Sequence, residues 1–353
     1  MRVLVTGGAG FTGQHLARRL VAGGHEVTAL DLLHPQVHPD PDGAVAAFPG
    51  TVTVADVADE DAWTGLASPD AVVHLAAETG TGQSMYEADR YHRVNVDGTA
   101  LAGRFAQERG VPLVTASSRA VYGEGRYACP EHGTRVGGPC CDAALPVAST
   151  EDDEHRPVSV YGETKSAGER SLHALDVPVT VVRPQNVVGP GQSLHNPYTG
   201  VLAAFLAMLR EGRPLTVYGD GHQTRDLVHV ADVADLLAWC LEHPPEAARP
   251  RVLNCGTGVR TTLLDLARLT ADGRPEDSRG PFEIAHLDVR RAGDITHACA
   301  DLTHLAALGA PLPTRSTADA VADFVAHAWA RPGAAAAAWD GALDELARRG
   351  LTG

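Results

Sequence analysis

With 353 residues, 44% hydrophobic and 21% charged, the chain can build one large two-lobed unit or two domains. Its composition shows no bias toward disorder. A formal net charge of −15 argues against nucleic acid or an anionic membrane as the main partner, so an anionic ligand must be met by locally placed arginines. There is no apolar run of about 18 residues to span a membrane, and the first apolar run is too short for an export signal. Cys129, Cys140, Cys141, Cys240, Cys255 and Cys299 therefore read as thiols of a cytoplasmic protein.

Met1 to Thr6 is an apolar run suited to a strand buried on both faces, and it breaks at Gly7-Gly8-Ala9-Gly10-Phe11-Thr12-Gly13. A helical pattern follows (Leu16, Leu20, Val21) and stops at Gly23-Gly24. A second strand, 26–30, then runs into Asp31. This is the arrangement a dinucleotide needs. Gly7 allows the sharp turn, Gly10 the approach of backbone to a pyrophosphate, and Gly13 the close packing of helix on strand. Phe11 and Thr12 open the helix whose free N–H groups face the phosphates. Asp31 stands where a carboxylate bonds the ribose hydroxyls of NAD and repels the 2′-phosphate of NADP.

Further along, 51–54 reads as a third strand leading to Asp56 and Val57, with Asp56 suited to the adenine amino group. The run 71–75 is a fourth strand, ending in Leu75-Ala76-Ala77 beside a cofactor ribose. Residues 84–109 read as one long helix containing Asn95. The strand 112–116 delivers Ser117 and Ser118. Residues 124–158 form a polar insertion, 160–175 a helix with Tyr161 and Lys165, and 178–183 a strand. Alternating strands and helices predict an α/β fold, a Rossmann-type doubly wound parallel sheet with a smaller C-terminal α/β substrate-binding lobe. The expected division is 1–184 for the dinucleotide domain and 185–330 for the substrate lobe, part of which returns to the first domain. A helical tail without evident chemistry, 331–353, follows.

Tyr161 and Lys165, four apart, share a helix face. A neighbouring ammonium and the positive nicotinamide ring favour the phenolate, which makes Tyr161 a candidate base, and Lys165 can also hydrogen-bond the nicotinamide ribose. Ser118, at a strand's carboxyl end, is placed to bond the oxygen whose carbon is oxidised.

The glycine turn with Ser118, Tyr161 and Lys165 resembles the extended short-chain dehydrogenase/reductases, specifically the NAD-dependent epimerase/dehydratase family, over about residues 1–330. Three segments are similar to bacterial dTDP-L-rhamnose 4-epimerases. They are the run from Ala116 to Gly133, Gly82-Gln83-Ser84-Met85-Tyr86, and Gly191-Gln192-Ser193-Leu194 with Asn196-Pro197-Tyr198-Thr199-Gly200. The resemblance implies a nucleotide-sugar 4-epimerase that holds NAD and acts on a dTDP- or UDP-hexose through a transient 4-keto sugar. A 4-ketoreductase consuming NAD(P)H is the alternative, and behind it a 4,6-dehydratase, a decarboxylase or a non-catalytic dinucleotide-binding scaffold, the last opposed by the intact Ser118, Tyr161 and Lys165. The resemblance implies that Asn95 and Ser117 support the cofactor, and that Ser84, Asn186 and Val217 meet the substrate. Arg225 and Arg291 would grip its diphosphate, as bidentate arginines suit. Asp294 would orient Arg291 or meet a ribose hydroxyl. A homodimer through helices 84–109 and 159–175 is implied as well.

Sugar 4,6-dehydratases of this family carry Asp-Glu where this chain has Arg119-Ala120, and decarboxylases a Glu at Ala120, so neither elimination nor decarboxylation has its groups. Pro184-Gln185 stand where the family commonly has Tyr-Phe, beside the hexose. Cys129, His132, Cys140 and Cys141 have zinc-ligand chemistry at short spacing. Because adjacent cysteines rarely share one ion, the expectation is a loop of free thiols with no metal.

Overall fold

The computed structural model describes residues 1–198, 200–246 and 249–353; Thr199, within one of the segments quoted above, lies outside them. Seven short strands assemble into one sheet: β1 (Arg2–Thr6), β2 (Glu26–Asp31), β3 (Thr51–Val54), β4 (Ala71–His74), β5 (Leu113–Ala116), β6 (Val179–Pro184) and β7 (Arg251–Cys255). Their order is β7-β6-β5-β4-β1-β2-β3, every pair parallel. The order reverses at β1, so the crevice between the β1 and β4 carboxyl ends is where such a sheet takes its ligand.

The sheet is apolar on both faces because helices cover both. The first helix, Phe11–Ala22, buries Gly13, Leu16, Ala17 and Leu20 at the spacing of one helical face. It packs against the helix Val230–Glu242, and both belong to one core with Val3, Val5 and Leu253. The opposite face rests on Trp63, Phe105, Leu113 and Leu172. A separate core around Phe205 and Phe324 holds the helices Val201–Arg210, Leu263–Asp272 and Thr317–Ala328.

Two elements depart from the sequence expectation. Residues 84–109 are not one helix. Short helices Thr81–Ser84 and Ala88–His92 lead through a π-turn, Arg93–Asp97, into the helix Gly98–Arg109. The wider turn swings Asn95 inward. The 124–158 insertion is not mere loop: Arg126–Cys129 is the central strand of a small antiparallel sheet, flanked by Gly133–Val136 and Leu145–Val147. The tail is also engaged. Trp339 of the helix Ala337–Arg348 joins the second core, and the chain then pairs with the segment carrying Arg291, through Arg290 with Gly353 and Ala292 with Leu351.

The glycine turn fixes the crevice. Gly7 has φ +64, and a Cβ there would lie 2.7 Å from the Ala76 nitrogen; at Gly13 it would lie 2.4 Å from the Gly7 oxygen. Gly13→Val therefore forces backbone apart. It is expected to cost about 1–3 kcal/mol by overpacking, read as a lower urea midpoint at unchanged slope. An unmoved midpoint would show that the turn tolerates a side chain.

Candidate active site

The dinucleotide crevice is built from what the glycines leave open. Gly10 precedes the first helix with no side-chain cap, so its terminal N–H groups remain available to an anion. Phe11 and Thr12 occupy that first turn, and Phe11 packs edge-on against His15. Leu75 and Ala76 donate their N–H groups to the Thr6 hydroxyl at 3.2 and 3.3 Å. They flank the turn with Ala77. Asp31 is buried, accepting from the Ala9 nitrogen at 3.0 Å and the Leu33 nitrogen at 2.9 Å. Its carboxylate thus ties the glycine turn to the end of β2. Asp56 pairs with Arg93 at 2.6 Å, a partner absent from the sequence reading, while Val57 is buried against Gly98. Cradle, helix end and acid fit a dinucleotide.

Between crevice and sheet runs a buried polar chain that sequence reasoning missed. The Thr6 hydroxyl meets His74 Nδ1 at 2.8 Å, and His74 Nε2 meets the Thr99 hydroxyl at 3.1 Å. Burial, with the Lys165 charge adding to it, pushes His74 down to about 3, so it stays neutral. Thr99 donates to the Asn95 carbonyl at 2.7 Å. The Asn95 side chain accepts from the Glu78 nitrogen at 2.8 Å and donates to the Thr164 hydroxyl at 3.1 Å. Asn95 thereby fastens the loop after β4 to the helix Val160–Ser171.

That helix is capped by Ser159, whose hydroxyl accepts from Gly162, and it presents Tyr161 and Lys165. Lys165 donates to the Ala116 carbonyl at 3.0 Å, and burial brings its ammonium down to about 8. Tyr161 lies edge-on to Tyr91, ring centroids 6.4 Å apart. Burial raises its phenol, while a hydrogen bond with Ser118 and the charge of Arg119 pull the other way. Arg119 thus adds a charge beside the phenol that the sequence reading did not name.

Arg119 acts on Tyr161 and is itself repelled by Arg225, which Arg291 also repels. Arg119 falls to about 10 through burial and repulsion by Arg225. Burial also lowers Arg225, whose side chain is held by the Thr224 and Ile295 carbonyls, both at 2.9 Å. Asp294 holds Arg291 with two bonds, 2.8 and 3.1 Å. Asn186 stands exposed next to Gln185, and its nitrogen bonds the Asp226 carbonyl.

Three expected site residues are placed elsewhere. Ser117 turns away from the crevice and hydrogen-bonds the Glu169 carboxylate. Successive side chains at a strand end point to opposite faces, so Ser118 and Ser117 cannot both face the ligand. Glu169 in turn receives Arg183 at 2.7 and 2.9 Å, a fully buried pair that also holds the Tyr122 hydroxyl. Ser84 is fully buried. It donates to the Thr81 carbonyl at 2.6 Å and accepts from the Tyr161 nitrogen at 3.1 Å, bracing the helix start where a substrate contact was expected. Val217 points into the second core at 1% exposure, so its side chain meets no ligand.

The sequence model of the NAD dependent epimerase/dehydratase family matches residues 3–256. A dTDP-L-rhamnose 4-epimerase of Burkholderia thailandensis is 40% identical over 335 residues, 87% of this chain and 90% of that one. A UDP-glucose 4-epimerase of Mycolicibacterium smegmatis is 34% identical, covering 84% and 92%. The crystal structure of the Thermotoga maritima UDP-glucose 4-epimerase with UDP-glucose superposes with a TM-score of 0.77 at 26% identity, over 93% of this chain and 98% of that one.

Two measurements probe this geometry. Arg119→Met removes a charge that favours the phenolate, so the tyrosinate absorbance of Tyr161, taken as the difference from Tyr161→Phe, should titrate higher; an unmoved midpoint rules Arg119 out. In binding titrations the protein should prefer NAD over NADP, and Asp31→Ala should narrow that preference. Equal affinity of the unaltered protein for both would remove Asp31 from the explanation.

Proposed function

This chain belongs to the NAD dependent epimerase/dehydratase family, and we propose that within it the protein is a nucleotide-sugar 4-epimerase acting on a dTDP- or UDP-hexose. The observation that carries the reading is the hydrogen bond of Ser118 with Tyr161 beside Arg119, whose guanidinium faces Arg225, in a chain with net charge −15. Arg119 and Arg225 repel one another, as do Arg225 and Arg291, and such neighbouring guanidiniums call for a compact polyanion such as a diphosphate.

Gly7, Gly10, Gly13, Phe11, Thr12 and Asp31 would hold NAD, which when bound supplies the hydride acceptor and donor for C4. Tyr161 takes the proton of the 4-hydroxyl and later returns it, with Ser118 bonding the same oxygen. Arg119 favours the phenolate during that step. Lys165, anchored on the Ala116 carbonyl, keeps its side chain along the cofactor edge of the helix. Arg225 and Arg291 hold the diphosphate while the sugar swings about it, so that either face of C4 can be presented. Asn186 meets the nucleotide sugar from the exposed rim. Arg119-Ala120 at the position of the dehydratase acids support a cycle without elimination.

Given a panel of dTDP- and UDP-hexoses, the purified protein should interconvert C4 epimers with no added cofactor and no steady change in nicotinamide absorbance. Tyr161→Phe should lower kcat by about 10²–10⁴-fold while NAD stays bound. Stoichiometric oxidation of added NAD(P)H by a 4-keto sugar, without epimer interconversion, would make the protein a ketoreductase instead.

A further inference from the structure

The insertion after Tyr122 contains four side chains that the reaction does not use. Cys129 ends the central strand of the small sheet, and His132 lies in the tight turn that pairs Cys129 with Gly133. Cys140 and Cys141 sit on the return toward Leu145–Val147, which pairs on the other edge of the same strand. Residues from two separate loops therefore meet at one end of the sheet, their sulfurs and ring nitrogen all within 4.8 Å of one another.

The distances define a polyhedron. Cys129 Sγ lies 3.6 Å from Cys141 Sγ, and Cys140 Sγ lies 4.0 Å from Cys141 Sγ. His132 Nδ1 stands 3.3, 3.5 and 3.8 Å from the sulfurs of Cys129, Cys140 and Cys141. Bond lengths of about 2.3 Å to sulfur and about 2.0–2.1 Å to nitrogen, at tetrahedral angles, require edges of about 3.8 Å between sulfurs and about 3.6 Å between sulfur and nitrogen. Five of the six edges scatter around those two values, and the sixth, Cys129 Sγ to Cys140 Sγ, is within 4.8 Å. A disulfide would join two sulfurs and leave the imidazole unexplained, whereas here one ring nitrogen faces all three. The expectation of a metal-free loop rested on the difficulty of bringing adjacent cysteines to one ion. The backbone at 140–141 turns so that both sulfurs face the same point, and that difficulty is absent.

Energetics point the same way. The buried apolar residues of the small sheet are Tyr127, Cys129 and Ala144, far too few to hold about two dozen residues against their chain entropy. A closed metal centre supplies such a fold with the free energy its core lacks.

We propose that Cys129, His132, Cys140 and Cys141 bind one structural zinc ion in a tetrahedral Cys₃His site that fastens the insertion. With all four positions filled by protein, the ion has no open coordination place and takes no part in the chemistry. Its effect on the site is mechanical. The strand it anchors starts two residues after Glu124, whose carboxylate receives the Thr296 nitrogen at 3.0 Å, in the segment that also holds Arg225.

The test is metal content. Full-length protein purified under reducing conditions without chelator, free of any histidine tag, should carry about one zinc per chain by mass spectrometry. Exchange for Co²⁺ should give the visible bands and thiolate charge-transfer absorption of a tetrahedral site. Stripping the zinc with a strong chelator should lower the melting temperature, and His132→Ala or Cys141→Ser should abolish stoichiometric binding. Zinc-free purified protein that also gives no tetrahedral cobalt spectrum on adding Co²⁺ to the reduced chain overturns the proposal. So does full zinc retention in a folded Cys129→Ser/Cys140→Ser variant. Because the unaltered protein is itself assayed, the result does not depend on any variant folding.

Discussion

Backbone approaches backbone around Gly7, Gly8 and Gly13 more closely than any side chain allows, and the rest of the structure is arranged about that contact. A Cβ on Gly8 would lie 2.7 Å from the Ala29 side chain, as one on Gly7 would crowd Ala76. The turn is thus wedged between β2 and the end of β4, with the first helix clamped behind it. Asp31 locks the wedge by accepting from Ala9. The cofactor crevice is consequently a consequence of packing, present before any ligand arrives.

A second level of organisation carries this rigidity to the reacting groups. The hydrogen-bonded chain from Thr6 through His74, Thr99 and Asn95 to Thr164 links the glycine turn to the tyrosine helix. On the other side of that helix, Glu169 draws in Ser117 and Arg183, and Tyr122 continues the network to Asn254 at 2.7 Å. Breaking a buried pair such as Arg183–Glu169 leaves a charge without compensation, so these residues hold Ser118 and Tyr161 in register. The arginine cluster is built differently: Arg225 rests on main-chain carbonyls and Arg291 on Asp294, and the tail pairs with the segment that carries Arg291.

What could be read from the sequence was local. The glycine turn, Asp31 and the Tyr161/Lys165 spacing each lie within one element, so their geometry follows from chain periodicity alone. The readings that changed depended on orientation or on distant partners. Ser117 and Ser118 differ by one residue and face opposite ways. Ser84 looked like a substrate contact until Tyr161 was found bonded to it. Asn95 owes its inward position to a π-turn that no propensity signals, and Arg119 gained its part only when the fold set it beside Tyr161. Convergence of Cys129 and His132 with Cys140 and Cys141 is likewise tertiary, created by a hairpin and a return strand from a segment that read as loop.

The proposed epimerase removes and restores the hydrogen at C4 of a nucleotide sugar within one active site. A hexose substrate carrying deuterium at C4 tests it directly, with protein, ordinary water and a large excess of unlabelled NADH in solution. The account predicts a C4-epimerised product that keeps its deuterium at C4. Loss of the label to water or to the dissolved cofactor would contradict it.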